Sequence, residues 1–174
     1  MSIRALLCLL VLCLAALRAA AADGIDEIYS ADTLSEWQFR IGKFIPGVYH
    51  DVIVPALTPD ERRRLADLRF DFPKSAPGQE PLAFWRAGDA VHFSAASMKF
   101  VADLSLAYVW LGRNGFTDTS LDKYMLMLAC WQQAAAPPEP RVALHVPDNA
   151  RNDPDTDLYA TRLTRNAFQF ILLA

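Results

Sequence analysis

The residues able to do chemistry are few, and their spacing excludes most of what they could do together. The three histidines are His50, His92 and His145. A zinc-peptidase helix needs two histidines at i, i+4, so that both imidazoles share one face, with a Glu after the first. No two of these have that spacing, and Asp51, Phe93 and Val146 follow them. His92 alternates with Val91 and Phe93, and His145 with Leu144 and Val146, the pattern of half-exposed strand residues. Asp153-Pro154-Asp155-Thr156-Asp157 offers alternate carboxylates of the kind that hold calcium. An EF-hand loop counted from Asp153 needs Gly where Leu158 stands and Glu where Thr164 stands, so a turn and a helix cap account for these acids better. Lys99 and Asp103 form an (i, i+4) pair suited to an exposed helix face. Cys130, between Ala129 and Trp131, reads as a small buried hydrophobe. Gly-x-Ser-x-Gly, P-loop, dinucleotide-fingerprint and Cys-x-x-Cys patterns are all absent from the sequence. No catalytic, cofactor-binding or metal-binding residue follows from these residues alone.

The elements that would position any site begin after residue 22. Arg4, the apolar run from Ala5 to Leu17, and Ala19-Ala20-Ala21-Ala22 have the layout of a secretory signal peptide, with cleavage expected before Asp23. The run is short for a membrane span, which needs about 20 apolar residues, so an uncleaved anchor is the weaker alternative. The expected location is periplasmic or extracellular. Removing Arg4 and Arg18 from 17 basic residues leaves 15 against 20 acidic ones, a formal charge of −5. That balance, with Arg62-Arg63-Arg64 the only basic run, argues against nucleic acid or an anionic membrane surface as partner. With Cys130 alone after cleavage, an intrachain disulfide is impossible.

Residues 23–174 fit one domain. Asp32 or Ser35 can open a first helix, and Phe39, Ile41, Phe44, Ile45, Val48, Val52 and Ile53 continue it. A break or a kink is expected at Pro46-Gly47 and an end before Pro55. Thr58-Pro59-Asp60-Glu61 is a capping box opening a short helix to about Leu68. Phe70 to Phe72 alternates like a strand. A hairpin is expected at about 82–94, with Gly88 supplying the positive φ of its turn. A central buried helix follows at about 97–111, capped by Ser94 or Ser97, with an apolar stripe wide enough for burial on more than one side. The next helix runs from Thr119 to about Gln133. Val142 to Val146 reads as a short strand. A last amphipathic helix starts at Asp157, with Tyr159, Leu163, Asn166/Ala167 and Phe170/Ile171 on its core face. The expected fold class is α+β, predominantly helical.

Taken together, Met98-Lys99-Phe100-Val101-Ala102-Asp103-Leu104, Tyr124-Met125-Leu126-Met127-Leu128, Leu144-His145-Val146-Pro147 and Asn166-Ala167-Phe168-Gln169-Phe170-Ile171-Leu172-Leu173-Ala174 stand in a suggestive order. The chain resembles the region upstream of the catalytic helix in exported bacterial zinc metallopeptidases. In those proteins an apolar helix of the Phe-Ile-Leu-Leu-Ala type continues into His-Glu-x-x-His. The resemblance spans most of residues 40–174 and rests on spread apolar positions. It implies that the last helix continues beyond Ala174, that zinc binds there, and that a peptide or protein is the substrate, held along the hairpin edge at Val91–Ser94. It carries no metal or catalytic role onto any residue present, so this chain by itself is expected to be inactive. The competing expectation is a non-enzymatic secreted interaction domain that self-associates or binds a partner through Phe168, Phe170, Ile171 and Leu172.

Overall fold

The computed structural model describes residues 28–75, 84–116, 119–130 and 137–173. The expected signal segment lies outside these residues. So do residues 82–83 of the hairpin and residues 131–133 of the helix expected from Thr119 to about Gln133.

Helix α1 spans Ala31–Val48, and Ser30, not Asp32 or Ser35, caps it by accepting from the Thr33 amide at 3.2 Å. Leu34, Ile41, Ile45 and Val48 give it a buried stripe. Pro46 does not break it. The helix widens into a π turn at Tyr49–Ile53, where the Val54 amide reaches the Tyr49 carbonyl, and resumes over Val54–Ala56 with Pro55 inside. A π turn absorbs a break in the ordinary hydrogen-bond ladder, which is what a pyrrolidine ring without an N–H creates. The expected end before Pro55 is therefore corrected. Helix α2, Pro59–Arg64, starts with the capping box read from the sequence: Thr58 and Glu61 satisfy each other's backbone amides.

Three short strands follow: β1 at Arg69–Asp71, β2 at Phe84–Ala87 and β3 at Ala90–Phe93. Gly88, at φ +61°, turns β2 into β3. The sheet order is β1-β3-β2, with β1 parallel and β2 antiparallel to β3. The central strand is thus β3, hydrogen-bonded on both sides. Val91–Phe93 offers no free edge, and the peptide-binding edge expected there is corrected: only β1 and β2 are edges. One sheet face carries Phe70, Phe84, Val91 and Phe93 into the core. Across the other run Asp71, His92 and Trp85, paired in register.

Helix α3, Ala95–Arg113, is the centre of the molecule. Ser94 caps it, accepting from the Ser97 amide. Every residue from Ala95 to Ala107 is buried. Small residues at Ala95, Ala96, Ala102 and Ala107 let neighbours approach, while Met98, Phe100 and Leu106 fill the gaps. Each large side chain contributes about 1.5–3 kcal/mol by leaving water.

Helix α4, Thr119–Ala129, presents Leu121, Tyr124, Met125 and Leu128 to the core. The strand expected at Val142–Val146 is not formed. Pro140–Ala143 is a helical turn, α5, with Pro140 at its first position. It closes as a Schellman motif: the Val146 amide bonds the Arg141 carbonyl at 2.8 Å and the His145 amide bonds Val142 at 3.2 Å. His145 takes the left-handed conformation at φ +54° that the motif requires. A 3-10 turn at Asp148–Asn152 leads to α6, Pro154–Leu173.

Helix α6 starts earlier than expected. Asp153, not Asp157, accepts from the Thr156 amide at 3.1 Å and hydroxyl at 2.5 Å. Its face is also rotated: Thr156, Ala160, Thr164 and Phe168 are buried, whereas Tyr159 and Phe170 are exposed. The architecture is α+β and predominantly helical, as expected, with α1 and α6 packed on α3 and the small sheet at one end. No helix of the described residues is long and apolar enough to cross a membrane.

Candidate functional site

Lys99 and Asp103, one turn apart on α3, are both buried rather than exposed. The sequence reading missed this. The signal was available in the width of the α3 stripe, which leaves the helix no solvent face for a charge pair. Lys99 Nζ pairs with Asp103 Oδ2, and the Tyr29 hydroxyl donates to the same oxygen at 2.8 Å. Glu139, at the start of α5, stands 3.6 Å from Lys99 Nζ. The ammonium also lies 4.8 Å from the centre of the Tyr29 ring and 5.9 Å from that of Trp37. Burial pushes the Tyr29 phenol far up, and the Asp103 charge adds to it. Burial likewise raises Tyr124, helped by Asp103 and Glu139. The Glu139 carboxyl is raised by burial first; Lys99 opposes this and Asp103 reinforces it. Both phenols therefore stay protonated, and the group forms a buried ionic tie between α3, α5 and the segment just before α1.

This tie forms the inner end of a cleft of about 510 Å³ among α1, α3, α5 and α6. Trp37, Phe44 and Phe168 give it an apolar floor, and Phe44 meets the Phe168 ring edge-on at 5.8 Å. Arg40, Arg141, Arg151 and Arg165 line it with Lys99, against the carboxylates of Asp103 and Asp157. Nothing local in the sequence marks these four arginines, which come from different elements and form no run.

The structure does not gather the histidines. His50 and His145 are exposed, His50 on the π turn and His145 at the end of α5. His92 sits on the outer sheet face, opposite Val91 and Phe93 as read from the sequence. Its ring stacks on Trp85 at 4.7 Å and 2°, and Nδ1 lies 2.9 Å from Asp71 Oδ2. Its Nε2 is buried without a hydrogen-bond partner. The acids at 153–157 cap α6 and pair with arginines: Arg113 with Asp153 and Asp155, each at 3.2 Å, and Arg151 with Asp157 at 2.5 Å. Arg62, Arg63 and Arg64 form an exposed helix face. Cys130 is exposed, correcting the buried reading. Phe168 is 2% exposed, which removes it from the self-association patch; Phe170 is exposed and Ile171 and Leu172 are half-buried.

Among the described residues no group of three His, Cys, Asp or Glu side chains is placed to hold a metal ion. No family model, curated protein or solved structure matches the chain.

Proposed function

We propose that this domain is the upstream scaffold of an exported, zinc-dependent peptidase-like protein, acting in the periplasm or outside the cell on a peptide or protein. In this reading the zinc ligands and the general base are supplied by residues outside this sequence. The chain's own part is to hold the helix that leads to them. The observation that supports it is the placement of α6. Its stripe of Thr156, Ala160, Thr164 and Phe168 is buried, and its later apolar positions Ala167, Ile171 and Leu172 pack into the cluster that also holds Phe70, Phe84 and Phe93 of the sheet. A helix continued in that register would carry side chains one and two turns on toward the sheet. A rigid helix face beside a short sheet is the arrangement a peptide hydrolase needs, because edge-strand addition holds an extended substrate.

The deciding experiment is the intact mass of the protein as its native host exports it, with zinc assayed on the same sample. A mass well above that of residues 23–174, with about one zinc per chain, supports the reading. A mass equal to that of residues 23–174 with no zinc overturns it.

A further inference from the structure

The cleft among α1, α3, α5 and α6 has no part in the peptidase reading, and its chemistry stands independently. Its lining carries five cations against two carboxylates in a chain of formal charge −3. The positive charge is thus concentrated locally, against the trend of the whole molecule.

Internal pairing does not use up that charge. Lys99 is held by Asp103 and Arg151 by Asp157. Arg40 pairs with Glu36, but both side chains are largely solvated. Arg141 donates to Asp148, whose side chain is wholly exposed to water. The exposed Arg40–Glu36 pair is worth about 0–1 kcal/mol and exchanges readily for a better acceptor, and the Arg141 partner is exposed on its own side. Among the described residues Arg165 makes no ion pair. Arg141 Nε is buried with no hydrogen-bond partner. A dry, unpaired N–H costs about 1–3 kcal/mol, which an incoming acceptor would relieve.

Planar guanidinium groups match carboxylate and phosphate oxygens through paired N–H donors. The floor of Trp37, Phe44 and Phe168 asks in addition for a flat apolar body. A cleft of about 510 Å³ lies in the range of small-molecule sites. It is one pocket and lacks the long basic stripe that nucleic acid requires. We infer that this cleft binds a small organic oxyanion, a carboxylate or phosphate ester joined to a flat apolar group. Arg141 and Arg165 grip the anion, and Trp37 holds the apolar part.

The test is calorimetric titration of the full chain at low ionic strength with inorganic phosphate, phenyl phosphate and benzoate. Saturable binding is expected, with phenyl phosphate at least about tenfold tighter than inorganic phosphate because only the ester reaches the aromatic floor. The order of benzoate and phenyl phosphate identifies which oxyanion the cleft prefers. Arg165→Gln, at an exposed position that leaves the fold intact, should weaken both aryl probes about tenfold, the loss of one charge-assisted hydrogen bond. Trp37→Leu should abolish the advantage of phenyl phosphate while leaving phosphate binding in place. No saturable binding of any probe, or unchanged affinity in both Arg165→Gln and Arg141→Gln, overturns the inference.

Discussion

The Tyr29 hydroxyl donates to Asp103 Oδ2 at 2.8 Å, joining residues 74 positions apart through an oxygen that also pairs with Lys99. Replacing Asp103 by Ala leaves the buried phenol without its acceptor and the buried ammonium with only Glu139, at 3.6 Å. Breaking such a pair on one side costs about 3–5 kcal/mol. The double replacement Lys99→Met with Asp103→Leu removes both charges and is expected to cost much less. Urea denaturation of the two variants checks this, and equal losses would contradict it.

Two neighbouring aromatics on α6 should behave oppositely. Phe168 is 2% exposed and Phe170 is 45% exposed. Phe168→Ala is expected to lose about 3–5 kcal/mol by opening a cavity against Phe44. Phe170→Ala should stay within about 0.5 kcal/mol of the parent. The same denaturation midpoints measure both.

His145 holds a left-handed conformation that a side chain resists by about 1–2 kcal/mol. His145→Gly relieves that strain, partly offset by the greater freedom of Gly in the unfolded chain, and should raise stability by about 0.5–1 kcal/mol. His145→Val should lower it. A fall in melting temperature for the Gly variant would show that the imidazole makes contacts that outweigh the strain.

Glu139 and Asp153 should give stability opposite slopes with pH. The folded pKa of Glu139 lies above its unfolded value, mainly through burial. Folded protein therefore binds that proton more tightly, and stability falls as pH rises from the ordinary carboxylate range through the raised value. The folded pKa of Asp153 is lowered, first by its hydrogen bond from the Thr156 side chain. Its contribution is present above the unfolded pKa and is lost as pH falls through the folded one. Glu139→Gln should flatten the first slope and Asp153→Asn the second. Melting curves from pH 3 to 7 would separate them, and unchanged slopes in either variant would refute the assignment.

Where local chemistry dictates backbone shape, the sequence was legible. Thr58 to Glu61 and Gly88 each encode their own turn and appear as read, and of the two caps offered for α3, Ser94 and Ser97, it is Ser94 that serves. Failures came where tertiary packing chose between local options. Val142 to Val146 alternates like a strand, yet Pro140 and a left-handed His145 make it a capped helical turn. Pro46 and Pro55 look like stops, yet a π turn carries the helix through. On α6, hydropathy pointed to Tyr159 and Phe170. The buried stripe instead uses Thr156, Ala160 and Thr164, whose small size suits close packing on α3. The Thr164 hydroxyl is satisfied within the helix by the Ala160 carbonyl at 2.8 Å. The cleft was illegible for a related reason: four arginines far apart in sequence meet only after α1, α5 and α6 have docked.

The enclosure of α3 bears on how this molecule comes apart. A helix with an exposed face can keep its turns while a neighbour detaches. From Ala95 to Ala107 α3 has no such face, so loss of either α1 or α6 exposes apolar surface that water penalises along the whole segment. The domain then has no stable half-folded intermediate to fall back on. Amide hydrogens in the middle of α3 should exchange only through global opening, with the same free energy as complete unfolding.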